Sequence, residues 1–238
     1  MDELIISIFC ELDNFCKEFF TYVEQSSLPC DKKKLRLEPS RSLSLSEIMT
    51  ICVGFHLSGY RNFKWYYTRL IVKQYRKFFP KLVSYNRFIE LMPHIAIPLT
   101  LFLQKNKTGT CTGITFMDST ILDVCDSHRI PQHKVFQGIA QRGKSSTGWF
   151  YGFKLHLTIN ECGEILNFCV TPGNVDDRIL LRKRAIIESV NDFLKNVCQI
   201  EHSRHRRGCN FITNLVSGLV AYSFLPKKPS IQFGIISE

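Results

Sequence analysis

Two separated acids are the residues of this chain best placed to do chemistry. Asp118 lies in the run Gly113-Ile114-Thr115-Phe116-Met117-Asp118-Ser119-Thr120, a short apolar strand that carries one carboxylate and two hydroxyls. Farther on, Arg184, Glu188 and Lys195 fall on one face of an amphipathic helix predicted over residues 179–198. One strand-borne and one helix-borne carboxylate suit metal-dependent phosphoryl chemistry, because Mg²⁺ takes oxygen ligands and a two-metal site holds its ions ~3.5–4 Å apart. Two acids are one short of a complete site of that kind. At ~100° per residue, Ile186, Val190, Phe193, Leu194 and Val197 gather on one side of the helix and Arg184, Glu188, Asn191 and Lys195 on another. By spacing alone the polar side reads rather as a plain surface with an Arg184–Glu188 pair at i, i+4. A second set of donors, Cys198, His202, His205 and Cys209, stands at i, i+4, i+7 and i+11, so a continuous helix would align four zinc-type ligands. Arg204, Arg206 and Arg207 in the same stretch would repel a cation.

The elements that must position these residues follow from periodicity. Leu4 to Val23 has apolar residues at helical spacing. Ser44 or Ser46, followed by Glu47, caps a helix over Leu45–Leu57, which Ser58-Gly59 breaks. A longer helix is expected from Arg61 to about Phe79, with basic residues set among aromatic ones, and Ser84 caps the next. The pair joined at Ser58-Gly59 reads either as a helix-turn-helix or as an ordinary helical hairpin. Lys105–Gly109 marks a change from helical to strand-like pattern, giving an expected division into residues 1–108 and 109–238. Beyond the Asp118 strand, residues 129–144 show little periodicity. Tyr151–Ile159 alternates as a half-buried strand, the turn Asn160–Gly163 follows, and Glu164–Thr171 returns as its hairpin partner. The expected sheet therefore has Gly113–Thr120 beside Tyr151–Ile159 beside Glu164–Thr171, with the helix of residues 179–198 on one face.

Charge narrows the partners. Net charge is −6 over residues 1–31, +12 over residues 32–107 and +4 over residues 108–238, within a total of +10. A middle third this basic points to a polyanion, of which nucleic acid is the commonest. The N-terminus is acidic where a secretory signal would be basic, and the ten cysteines lack regular spacing, so reduced thiols in a cytoplasm are expected. The apolar stretches Ile95–Leu103 and Leu215–Leu225 fall short of the ~20 residues that span a bilayer.

Several segments in order resemble bacterial insertion-sequence transposases of the DDE type. They are Phe116–Thr120, Gly138–His156 (Gly-Ile-Ala-Gln-Arg-Gly-Lys through Tyr-Gly-Phe-Lys-Leu-His), Thr171–Arg178, Arg184–Glu188 and Glu201–Arg206. The resemblance implies an α+β chain in which a helical, DNA-binding N-terminal region precedes a truncated RNase H-like α/β domain. It implies Mg²⁺, or Mn²⁺ in its place, held by Asp118 as the first family acid and Glu188 as the third. Arg184 and Lys195 would support Glu188, completing an arginine, glutamate, lysine signature whose usual opening tyrosine is here Leu181. Arg61, Lys64, Arg69 and Lys73, then Arg142, Lys144 and Lys154 beside Trp149 and Tyr151, and Arg204 and Arg206, would contact DNA. The implied partners are double-stranded DNA at terminal repeats and target sites, with self-association open and no membrane. The family's second acid sits on a strand between the asparagine-containing loop and the glutamate helix. This chain runs from Asp177-Arg178 directly into Ile179-Leu180-Leu181-Arg182, so that strand is missing, as an in-frame deletion would leave it. Asp176 or Asp177 stands as a substitute acid. The activity implied is strand cleavage and transfer, lost in this chain; the alternatives are a non-catalytic DNA-binding remnant that competes for element ends and a zinc-stabilised binding module.

Overall fold

The structure, a computed structural model, describes residues 2–26, 43–111, 113–145, 148–175, 185–201 and 207–230. Its elements make an α+β chain with two compact units: residues 1–105 with 209–224, and residues 106–208 with 225–238. The linear division at 108/109 expected from the sequence differs from this: the first boundary falls at 105/106, and residues 209–224 return to the first unit. The helix near the C-terminus folds with the first unit.

The first unit is helical. Helix α1 (Asp2–Ser26) buries Ile5, Ile8, Leu12, Phe15 and Cys16. Its Asp13 carboxylate accepts a 3.0 Å hydrogen bond from Ser46 Oγ on α2 (Leu45–Leu57). Ser44 is the residue that caps α2. Its hydroxyl accepts from Glu47 N at 3.1 Å while Glu47 Oε2 accepts from Ser44 N at 2.7 Å, a reciprocal pair that satisfies two otherwise orphaned donors. After Gly59, whose φ of +73° suits glycine, the helix expected over residues 61–79 is instead a single turn, α3 (Phe63–Trp65). A π-helical turn, Tyr66–Ile71, follows and then irregular backbone. The reason is packing: Tyr66, Tyr67 and Ile71 are all fully buried, and the widened turn seats them together. Ser84 caps α4 (Tyr85–Leu91) as its sequence position indicates, and α5 (Ala96–Asn106) follows a short 3₁₀ turn. Helix α7 (Gly208–Ser223) is anchored in this unit through Thr213 Oγ1, which donates to the Met92 carbonyl at 3.1 Å.

The second unit is built on a four-stranded antiparallel sheet. Strands β1 (Thr115–Asp123), β3 (Gly148–Asn160) and β4 (Ile165–Pro172) pair as the alternation predicts, with β1 on one edge of β3 and β4 on the other. A further strand, β2 (Gln141–Ser145), pairs with the start of β3. The sequence reading treated it as part of an unpatterned segment. Its composition, Gln-Arg-Gly-Lys-Ser, has no apolar alternation, and only pairing with Trp149–Gly152 makes it a strand. Asn160 builds the β3–β4 turn, its side-chain oxygen accepting from Cys162 N at 3.1 Å and Glu164 N at 2.9 Å. Helix α6 (Ala185–Asn196) lies against β1 and β3, burying Ile187, Val190 and Leu194. Among the described residues no helix is long and apolar enough to cross a membrane.

Candidate functional site

Register decides which way the first acid faces. Asp118 is directly opposite Leu157, as Phe116 is opposite Ile159, Thr120 opposite Leu155 and Leu122 opposite Phe153. Directly paired residues share a sheet face, so Asp118 is the charged member of the face that β1 and β3 present to α6. Phe116, Thr120 and Leu122 on that face are buried and Asp118 is half-buried. A carboxylate in such surroundings needs hydrogen-bond donors. One comes from α6: Asn191 Nδ2 donates to Asp118 Oδ2 at 3.1 Å, and the Asn191 side chain is itself only 6% exposed.

That bond fixes α6 against the Asp118 strand. Glu188 lies three residues before Asn191, and such neighbours on one helix have Cβ atoms ~5–6 Å apart. Glu188 is exposed on the same helix, one turn before the residue that bonds Asp118. Asn191 is a site residue to which the sequence reading assigned no role, although it shares the helix face with Glu188. The available signal was that spacing alone.

The donor set suits an oxygen-seeking cation. Asp118 and Glu188 offer carboxylates, and Asn191 Oδ1 is buried with no hydrogen-bond partner among the described residues. Hard oxygen ligands of this kind fit Mg²⁺, which commonly binds through one or two carboxylates and keeps several waters. No cluster of three or more His, Cys, Asp or Glu residues able to hold a metal occurs among the described residues. The substitute acids Asp176 and Asp177, together with Arg184, Arg204 and Arg206, lie outside the described residues.

Other expected site residues divide. Lys195 pairs with Glu201 at 3.3 Å, so its charge is engaged there. Asp123, at the end of β1 and outside the expected site residues, has its carboxyl pushed up by burial, with Glu201 adding to the effect and backbone N–H groups, chiefly that of Tyr151, opposing it. Lys154 is a correction: it is only 5% exposed and donates to the Val175 carbonyl at 2.8 Å, because its position on β3 turns it to the face away from α6. Arg142 and Lys144 are exposed, opposite Tyr151 and Trp149 respectively, and the Lys144 ammonium sits 6.0 Å from the Trp149 ring centroid. Tyr151 and Trp149 alternate in phase with Leu157, so these two cations and Asp118 belong to the same sheet face. Arg61, Lys64, Arg69 and Lys73 are all exposed on the helical unit.

The zinc arrangement needs one continuous helix from Cys198 to Cys209, and the backbone does not provide it. Helix α6 ends at Asn196, Gln199 takes a φ of 53°, and among the described residues the next helix is Gly208–Ser223. Val197, expected on the buried side, is 49% exposed for the same reason, while Cys198 is fully buried.

Residues 108–179 and 177–208 match the model of the transposase DDE domain. No curated protein and no solved structure gives a significant match. The two matched pieces meet at residues 177–179, the point where the chain passes straight from the asparagine-containing loop toward the glutamate helix. Strand β1 with Asp118, the β3–β4 hairpin and helix α6 with Glu188 all fall within the matched residues, and over this span the chain is similar to the transposase DDE domain.

Proposed function

We propose that this chain binds insertion-sequence DNA through its helical region and the β2–β3 hairpin but does not cut it. In this reading residues 109–238 are an RNase H-like domain that keeps the first and third acids, Asp118 and Glu188, and lacks the second acid with its strand. The observation that carries it is the abutment of the two matched pieces at residues 177–179 in a chain with no intervening strand sequence. The Asn191–Asp118 bond supports retention of the rest of the geometry.

Asp118 and Glu188 would hold Mg²⁺ or Mn²⁺, which when bound neutralises phosphate charge and activates water. Two-metal phosphoryl transfer depends on rigid placement of both ions, and a site short of one central-strand carboxylate loses that placement. DNA contact depends on different residues. Arg61, Lys64, Arg69 and Lys73, with no Asp or Glu between Glu47 and Glu90, form one basic surface, and Arg142 and Lys144 another. Such a protein would compete with an intact transposase for element ends.

The test is binding and cleavage on the same element-end duplex. Binding should weaken with salt, log affinity falling by about 0.9 per phosphate contact for each unit of log salt concentration. No nicking or joining should occur with Mg²⁺ or Mn²⁺. Cleavage that both Asp118→Ala and Glu188→Ala abolish would refute the loss of activity and direct attention to Asp176 or Asp177 as the replacement acid.

A further inference from the structure

The turn between α2 and α3 forms an open concavity that strand cleavage gives no role. Ser58, Gly59, Tyr60, Arg61, Asn62 and Trp65 line it, with a volume of about 590 Å³ that faces solvent. Trp65 presents 62% of its surface to solvent, although an indole gains more from burial than almost any other side chain. The Arg69 guanidinium carbon lies 5.6 Å from its ring centroid.

The backbone holds this exposed ring in place. Asn62 Oδ1 accepts from Trp65 N at 3.2 Å, fixing the first turn of α3. Immediately afterwards the chain widens into the π-helical turn, closed by Val72 N donating to the Tyr67 carbonyl at 2.9 Å. Turns of this type recur at functional sites. Tyr66 and Tyr67, the next two residues, are buried at 0% and 1% exposure, so the ring is exposed from an anchored element rather than a loose one. A Cβ on Gly59 would meet nothing within 4 Å, which leaves that side of the cavity open.

We propose that this cavity takes an unpaired nucleobase of DNA, stacked on the Trp65 ring with its phosphates neutralised by Arg61 and Lys64. A flat apolar ring beside exposed cations, with no carboxylate in the surrounding sequence to compete for them, suits a base joined to a polyanion. The proposal rests on the DNA-binding reading above and adds to it a site that recognises a base rather than the backbone.

Two duplexes separate the possibilities: one carries a single bulged thymine, the other an abasic residue at the same bulge, and fluorescence anisotropy reports affinity for each. Trp65→Ala should weaken the thymine duplex by roughly 5- to 150-fold, the usual range for one stacked base, and leave the abasic duplex unchanged. Trp65→Phe should keep most of the preference, which a generally damaged fold would not. The chain has two tryptophans, so the emission lost on Trp65→Phe is that of Trp65, and this component should be quenched by the thymine duplex alone. Equal affinity for the two duplexes, with Trp65 emission unmoved while binding persists, would overturn the base site and leave the DNA-binding reading standing. Failure to bind either duplex would overturn both.

Discussion

Replacing Asn191 with aspartate tests the joint between strand and helix. In the folded chain Asn191 Nδ2 donates to Asp118 Oδ2 at 3.1 Å. The variant puts a second carboxylate at that distance, where two unit charges repel by about 5 kcal/mol at an effective dielectric of about 20. Partial exposure of Asp118 lowers this, and the pair has an escape: one carboxyl keeps its proton and donates it to the other, restoring the hydrogen bond. The deficit therefore cannot exceed the work of holding that proton. An aspartate in the unfolded chain titrates near ~3.9, so at pH 7 the ceiling is about 4 kcal/mol and at pH 4.5 it is under about 1 kcal/mol. The sign follows from linkage. The folded variant binds a proton that its unfolded form has released, so stability falls as pH rises above ~4, by about 1.4 kcal/mol per unit until the raised folded value is passed. Urea denaturation of the wild type and Asn191→Asp at pH 4.5 and pH 7 should show a deficit of roughly 2–4 kcal/mol at the higher pH that nearly vanishes at the lower. The reciprocal double variant, Asp118→Asn with Asn191→Asp, restores one donor and one acceptor and should recover most of the loss. Mn²⁺ should stabilise Asn191→Asp more than the wild type, because cation binding to the folded form adds RT ln(1 + [L]/Kd). A deficit equal at both pH values, with no recovery in the double variant, would refute the contact.

Two further outcomes are expected. Gly152→Ala should cost several kcal/mol or abolish folding of the second unit, since a Cβ there would run into the Leu122 carbonyl on β1, a backbone atom that cannot swing aside; a soluble variant with wild-type denaturation would contradict the β1–β3 register. Burial pushes the Cys198 thiol from 9.0 up to about 12, so the folded chain keeps a proton that the unfolded chain releases, and stability should be lost as pH rises from about 9 toward 12, by about 1.4 kcal/mol per unit. Cys198→Ala should make the fall in stability between pH 8 and pH 10.5 shallower, and an unchanged slope would show that this thiol does not titrate on unfolding. Cys52 is raised in the same direction by its burial and should leave a residual slope.

Local pattern determined a good deal of this protein. The period of the apolar residues in α1, the Ser44–Glu47 cap of α2, the alternation of Tyr151–Ile159 and the Asn160–Gly163 turn each depend on groups within a few residues of one another. The chain sequence therefore specifies them without reference to the rest of the fold. The same holds for the acidic start and the strongly basic stretch that follows it, since charge is additive along a sequence. What lay beyond reach were facings and partners across long separations. Asp118 and Asn191 are 73 positions apart, and only the β1–β3 register and the seating of α6 turn them toward each other. Lys154 has the composition of a phosphate contact, yet its place in the alternation of β3 sends it to the buried side. Strand β2 carries no apolar period and exists because β3 offers it unpaired backbone groups. The π-helical turn arises because Tyr66, Tyr67 and Ile71 must all reach one core, a demand that periodicity predicts as a longer ordinary helix. Helix α7 joins the first unit through contacts such as Thr213 to Met92, more than a hundred residues back, where burying its apolar face outweighs chain proximity.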